Sequence, residues 1–308
     1  MADRVAAPAP AEARLSLHEA RGLADALPDL LIDARRVAST ILAGWHGRRR
    51  AGPGETFWQF RSFVTGEAAG RVDWRRSSRD DHLYVRETEW EAAHTIWLAP
   101  DLSPSMAFRS QLARTSKRDR AVLLTLSLAE ILARSGERVG LLGETRAYLS
   151  RNTAELLAGA LKYDDRPALP EVNQLRRHTD VIFIGDFLDP TADIDQRLSA
   201  IAATGAGAHL VQVVDPIEET FPYTGRTEFL DPETGRKHMV GRAESYRDDY
   251  GRALAALRDH LRETCRRLDW TFIIHRTDRP ATEPLLFLHA RLSDRGSRYR
   301  EARMGRAA

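Results

Sequence analysis

The sequence predicts an α/β protein built on a doubly wound, mostly parallel β-sheet, preceded by N-terminal helices and a small separate element. Two observations lead to this fold class. From residue 95 onward, short apolar segments alternate with longer helical segments. Those apolar segments are continuous, which is typical of parallel strands covered by helices on both faces.

The composition is that of an ordinary globular protein. The chain has 308 residues, of which 43% are hydrophobic and 29% charged, with a formal net charge of +2. Only Lys117, Lys162 and Lys237 are lysines among 46 basic residues. Arginine is therefore the default basic residue of this chain, and arginine clusters give little support for nucleic-acid binding.

Cysteine content and hydropathy exclude other classes. The one cysteine, Cys265, rules out an internal disulfide framework and any CxxC motif. No apolar run approaches the ~18 residues of a membrane span. Residues 1–14 contain Asp3 and Glu12 and lack the apolar segment of a signal peptide. We therefore expect a soluble, cytoplasmic protein.

The N-terminal region divides into a tail and helices. Residues 1–14, rich in alanine and proline, predict a disordered tail. Residues 15–44 predict a pair of helices, the first of which begins at Ser16 in a capping box with Glu19 and ends before Pro28.

The second helix of this pair has an apolar stripe. It runs from Asp29 to Gly44, and its apolar residues recur at helical spacing: Leu30, Leu31, Ala34, Val37, Ala38, Ile41 and Leu42. Because such a stripe is not stable in water, we expect it to dock on the main domain, with an interface between copies as the alternative.

Residues 45–94 form a separate element rich in arginine and tryptophan. Between residues 48 and 86 the chain has nine arginines and five acidic residues, and Trp58 and Trp74 are among its several aromatic residues. This pattern permits nucleic-acid binding through charge and stacking. The acids and the general arginine bias favour a structural role. Leu83 and Val85 predict a short strand.

The main domain is predicted at 95–294, followed by a mobile tail at 295–308. Strands are predicted at 95–99, 138–142, 148–149, 181–184, 209–214 and 270–274, and helices at 116–135, 152–162, 193–203, 244–268 and 283–293. Residues 227–240 predict a hairpin that turns at 231–235.

Candidate site residues follow the strands. In a doubly wound sheet, ligands bind beyond the carboxyl ends of the strands. The first strand leads into Asp101-x-Ser103-x-Ser105, and a later strand leads into Asp186. Alternate residues of an extended chain point the same way, and hard oxygen ligands suit Mg²⁺ or Mn²⁺. These four residues are the predicted metal site. The alternative is that they only cap backbone amides in turns.

Several motifs carry a resemblance to a known family. They include Gly54-x-x-Phe57, Arg71-Val72-Asp73-Trp74, Asp101-Leu102-Ser103-Pro104-Ser105-Met106, Lys117, Gly185-Asp186-Phe187, Asp215-Pro216-x-Glu218 and Asp231-x-Glu233-Thr234-Gly235. In this order and spacing, the chain resembles domain-of-unknown-function family 58 over roughly residues 45–290.

The resemblance implies a Rossmann-type, von Willebrand factor A-like domain with six strands. It also places Asp101, Ser103, Ser105 and Asp186 at the position of the metal-ion-dependent adhesion site of A domains. The threonine of that site is missing from the loop 163–167, so either Asp164 or Asp165 substitutes, or the site is degenerate. Proteins of this family resemble partners of MoxR-type AAA+ ATPases.

Three functions compete on this basis. The first is a non-enzymatic adaptor that binds a protein partner through a metal-dependent site, because no general base or nucleophile is recognisable beside it. The second is a divalent-metal-dependent phosphoesterase that uses Asp101 and Asp186. The third is a nucleic-acid binder that uses residues 48–86. We do not expect nucleic-acid binding to be the function.

Overall fold

The computed structural model describes residues 17–45, 57–64, 70, 72–79, 82–88, 94–144, 146–162 and 171–304. The tail predicted at 1–14 and the capping residue Ser16 lie outside them. The chain divides into two compact units: residues 1–44 together with 94–308, and residues 45–93.

Helix α1 is continuous from Leu17 to Trp45, so the prediction of two helices is wrong. Pro28 lies inside α1, although proline supplies no backbone N–H. The burial of Leu27 next to Pro28, and of residues after it, favours a continuous helix in spite of the missing hydrogen bond. Leu27, Ala34, Ala38 and Ile41 are buried in the core of the larger unit. The apolar stripe therefore docks on the main domain, as predicted.

The smaller unit contains an antiparallel strand pair and a short helix. Strand β1 (Phe57–Ser62) pairs with β2 (Tyr84–Thr88), and α2 (Trp74–Ser77) lies between them in the chain. Strand β2 overlaps the strand predicted at Leu83 and Val85, whereas β1 is not predicted from the sequence. The Arg76 guanidinium lies 4.6 Å from the Tyr84 ring centre and 5.9 Å from that of Phe60. This arginine thus packs within its own unit.

Five parallel strands form the main sheet. They are β3 (Thr95–Pro100), β4 (Arg138–Leu141), β5 (Thr179–Gly185), β6 (Gly207–Val214) and β9 (Thr271–Arg276), in the order β4-β3-β5-β6-β9. Between β6 and β9, strands β7 (Thr227–Leu230) and β8 (Lys237–Val240) form the predicted hairpin. The sixth strand, predicted at 148–149, is not formed among the described residues. A single antiparallel bridge joins Tyr148 to Val139 of β4 instead.

The remaining helices connect the strands. They are α3 (Lys117–Arg134), α4 (Thr153–Leu161), α5 (Thr191–Thr204), α6 (Pro216–Thr220), α7 (Arg247–Arg267) and α8 (Thr282–Met304), with 3₁₀ turns at Pro104–Ala107 and Ala243–Tyr246. The predicted tail from 295 is instead part of α8 as far as Met304. None of the helices in the described ranges has the length and apolar character to cross a membrane.

Side chains on the two faces of the sheet belong to two hydrophobic clusters. Ile96 and Leu98 point into the cluster that contains α1, α3, α4 and α8. Trp97 and Ala99 point into the cluster that contains α5 and α7. This alternation along one strand is the period of two expected for a β-strand.

The strand order has a switch point between β3 and β5. The chain leaves β3 to form β4 on one side, then returns to form β5 on the other side. The loops that follow β3 and β5 therefore diverge at the carboxyl edge of the sheet, which is where ligands bind in such folds.

Candidate functional site

The loop after β3 is fastened to the sheet through Asp101. Its N–H donates to the carbonyl of Ile184 at 2.8 Å, which extends the pairing between β3 and β5. Its Oδ1 accepts the Ser103 N–H at 2.9 Å. Ser103 then precedes the 3₁₀ turn that begins at Pro104. The buried carboxylate of Asp101 thus sets the path of the serine-containing loop.

The four residues predicted as metal ligands lie together at this edge. Ser103 Oγ is 3.1 Å from Ser105 Oγ, and Ser105 Oγ donates to Asp186 Oδ2 at 2.9 Å. The Asp101 side chain lies against Gly185, where an added Cβ would approach Asp101 Cβ to 2.8 Å. Glycine at 185 therefore lets the two strand ends approach.

Lys117 and Glu218 match family positions, but no role is predicted for either residue from the sequence. The Lys117 ammonium, 1% exposed, donates to Asp186 Oδ2 at 2.9 Å and to Glu218 Oε1 at 2.6 Å. Burial disfavours its charge, but the two carboxylates outweigh burial and raise the pKa of Lys117. The positively charged ammonium of Lys117 is therefore part of the site.

Glu218 and Asp215 join α6 to the site. Asp215 caps this helix: its Oδ1 accepts the Ile217 N–H at 3.0 Å, and its own N–H donates to Glu218 Oε2 at 2.8 Å. Asp215 Oδ2 accepts the Ser110 N–H at 2.8 Å. The third aspartate that ends a strand therefore organises the loops, while Glu218 holds Lys117.

Asp186 is held from both sides. Its Oδ1 accepts the Leu188 N–H at 3.2 Å, and its carbonyl accepts from Gln212 Nε2 at 3.0 Å. Gln212 is buried in β6 and accepts in turn from Arg258 Nε at 2.9 Å. This chain of hydrogen bonds ties Asp186 to helix α7.

The site carries more negative charge than Lys117 balances. Burial, and then the charge of Asp186, raise the pKa of Asp101 to about 7. Burial, and then the charges of Asp186 and Glu233, raise the pKa of Asp189. Both carboxyl groups would ionise more readily beside an additional cation.

The donor set fits a hard divalent cation. Adjacent oxygen ligands of octahedral Mg²⁺ lie about 3 Å apart, given Mg–O distances of about 2.1 Å. The two oxygen pairs that join Ser103, Ser105 and Asp186 have this separation. Among the described residues, no group of three or more His, Cys, Asp or Glu side chains is arranged to hold a metal. The loop 163–167, with Asp164 and Asp165, lies outside the described residues.

The hairpin of β7 and β8 also reaches the site. Glu233 at its tip accepts the Ser105 N–H through Oε1 at 2.9 Å. The turn is predicted from the sequence and Glu233 matches the family motif, but the contact with Ser105 is not predicted. No local signal marks this contact, because 128 positions separate the two residues.

Fold and site together define an α/β protein with a polar cluster at the switch point of a parallel sheet. The chain belongs to the family described as "Protein of unknown function DUF58", whose model matches residues 59–260. Uncharacterized proteins of Mycobacterium tuberculosis H37Rv (Rv1480) and Mycobacterium bovis (Mb1516) are each 28% identical over 275 residues, which is 83% of this chain and 86% of the relative.

Two solved structures show limited similarity. The conserved hypothetical protein BatB from Bacteroides thetaiotaomicron has a TM-score of 0.37 and 12% identity, covering 66% of this chain and 100% of that chain. An aerotolerance-related membrane protein from Bacteroides fragilis has a TM-score of 0.35 and 14% identity, covering 62% and 96%.

Proposed function

We propose that this protein is a non-catalytic adaptor that binds a protein partner through a divalent cation at Asp101, Ser103 and Ser105, with Asp186 orienting Ser105. The observation that carries the proposal is the close approach of Ser103 Oγ and Ser105 Oγ, 3.1 Å apart at the switch point, with Asp186 Oδ2 2.9 Å from Ser105 Oγ. A Mg²⁺ or Mn²⁺ ion bound there would offer an open coordination position to a carboxylate of the partner.

Each of these residues has a distinct task. Asp101 supplies a buried carboxyl group whose ionised form a bound cation would stabilise. Ser103 and Ser105 supply neutral oxygens, so the site keeps less charge than one built from carboxylates alone. Lys117 neutralises part of the charge of Asp186 and holds it toward Ser105. This charge balance favours a cation that still attracts an acidic group from outside.

The surroundings favour a protein over a small substrate. The cavity beside Asp101 measures about 10 Å³, close to the size of one water molecule. Large apolar side chains on the adjoining loops are exposed: Phe108 by 39%, Leu112 by 59% and Leu188 by 51%. Apolar residues beside a charged centre are typical of surfaces that bind proteins.

We propose a MoxR-type AAA+ ATPase as the partner and the cytoplasm as the location. The resemblance of this family to partners of such ATPases supports the first part. The second part keeps the location expected from the sequence.

An affinity pull-down from the host cells tests the proposal. The tagged full-length chain is incubated with Mg²⁺ or with a chelator, and captured proteins are identified by mass spectrometry. We expect an AAA+ ATPase to be enriched with Mg²⁺, and the enrichment to be lost in Asp101→Asn. The control is Asp248→Asn, which changes an exposed aspartate on α7.

Two results would contradict the proposal. Capture that is equal with Mg²⁺ and with chelator would keep the adaptor role but remove the cation from it. Capture of no ATPase in either condition would remove the partner. Mn²⁺ titration of both variants by electron paramagnetic resonance gives an independent measure, in which we expect Asp101→Asn to bind at least tenfold more weakly.

A further inference from the structure

We infer that the hairpin of β7 and β8 is an autoinhibitory arm, which Glu233 fastens to the site loop and an acidic partner must release. The inference rests on the proposed function, because it concerns access to the same loop. Its basis is the hydrogen bond from the Ser105 N–H to Glu233 Oε1, at 2.9 Å. The Glu233 carboxylate thus contacts the backbone of Ser105, whose hydroxyl belongs to the site.

The tip of the hairpin is built to present Glu233. Asp231 Oδ1 accepts the Glu233 N–H at 2.9 Å, and its Oδ2 accepts the Thr234 hydroxyl. Gly235, with φ of 68°, closes the turn through its N–H to the Asp231 carbonyl at 2.8 Å. Because the turn is ordered by its own hydrogen bonds, Glu233 loses little conformational freedom when it contacts Ser105.

The base of the hairpin is anchored independently of the tip. Phe229 on β7 stacks on Phe221 with ring centres 5.9 Å apart and meets Tyr223 edge to face at 5.2 Å. Phe221 also lies 5.0 Å from Tyr250 of α7. Loss of the Glu233 contact would therefore free the tip without unfolding the base.

The contact at the tip is suited to release. It is one hydrogen bond between a carboxylate and an amide, in which Glu233 is exposed and Ser105 is half-buried. Burial, then the charge of Asp186 and then that of Glu233, raise the pKa of the Asp189 carboxyl, so the negative charge of Glu233 already acts on the site. A partner carboxylate that approaches the loop would add a further negative charge and favour departure of the arm.

Hydrogen exchange of the full-length chain tests the arm directly. We expect Glu233→Gln to speed amide exchange about tenfold in segments 103–107 and 231–236, and to leave the sheet unchanged. The matched control is Glu228→Gln on the same hairpin, whose carboxylate pairs with Lys237 at 2.8 Å instead of the site. Unchanged exchange in Glu233→Gln, or faster exchange in only one of the two segments, would overturn the inference.

The pull-down with Mg²⁺ then separates this inference from the proposed function. We expect Glu233→Gln to retain the captured ATPase about tenfold more tightly than Glu228→Gln. Equal or weaker capture would overturn autoinhibition, because Glu233 would then be a spectator or part of the partner contact. If no variant captures an ATPase, the proposed function fails, and the exchange result alone decides whether Glu233 fastens the arm.

Discussion

The buried ion cluster around Lys117 makes a strong prediction about stability. Lys117→Met keeps most of the side-chain volume but removes the ammonium. Two carboxylates then stay behind with little access to water, because the side chain of Asp186 is 4% exposed and that of Glu218 is 18% exposed. Removing one partner of a buried ion pair costs about 3–5 kcal/mol, since the remaining charge is left uncompensated.

Chemical denaturation at neutral pH measures this cost as a free energy of unfolding, and thermal unfolding measures it as a change in Tm. In a domain of this size, each kcal/mol changes Tm by about 2–4 °C, so we expect a fall of roughly 10 °C. Lys237→Met is the matched control, because Lys237 pairs with Glu228 at a similar distance but the two side chains are 65% and 45% exposed. An exposed pair contributes about 0–1 kcal/mol.

Two results would refute this reasoning. If Lys117→Met destabilises the protein no more than Lys237→Met, the cluster does not depend on its ammonium. A double-mutant cycle with Asp186→Asn gives the second test, because removing both partners leaves less unpaired charge than removing Lys117 alone. Strictly additive losses would show that the two groups are not coupled.

Further predictions concern packing, pH and the cation. Gly185→Ala should destabilise the protein by about 1–3 kcal/mol in denaturant, because its Cβ would meet Asp101; Gly159→Ala, with open space around it, should cause no loss. Burial, and then the charge of Arg120, lower the pKa of His275 to about 4 from 6.5. The free energy of unfolding should therefore fall as the pH drops from 6.5 toward 4. In His275→Gln it should fall less over the same pH interval, as measured by unfolding curves at a series of pH values. If His275→Gln loses stability as steeply as the wild type over this interval, groups other than His275 cause the pH dependence. Mg²⁺ at 100 times its Kd should stabilise the wild type by about 2.7 kcal/mol and Asp101→Asn much less, measured by thermal shift; equal shifts would place the ion elsewhere.

The fold class and the location of the candidate site could be read from local patterns. Continuous apolar strands that end in Asp101 and Asp186 are enough to place both carboxylates at one edge of a parallel sheet. The convergence of Ser103 and Ser105 was predicted from alternation along an extended chain. In the structure, the segment turns into a 3₁₀ helix at Pro104, so the hydroxyls meet through a turn instead.

The remaining parts of the site depend on the path of the chain in space. Lys117 begins a helix, and Glu218 lies in another helix 101 positions away. Nothing local to either residue predicts their pairing. The available signal was compositional: a lysine is unusual in a chain whose basic residues are nearly all arginine. The continuity of α1 through Pro28 likewise depends on tertiary packing, which overrides the local preference of proline.

The discontinuous larger unit has a consequence for biosynthesis. Helix α1 is made before the rest of this unit, but its buried stripe shares a core cluster with Leu285, Leu288 and Leu292 of α8, the last helix of the unit. At ~5–20 residues per second, the roughly 250 intervening residues take about 10–50 s to synthesise. During that time the apolar stripe of α1 is exposed on the ribosome-bound chain, because the helix that completes its core cluster has not yet been synthesised. We therefore expect nascent chains that stop before β9 to be captured by holding chaperones through α1.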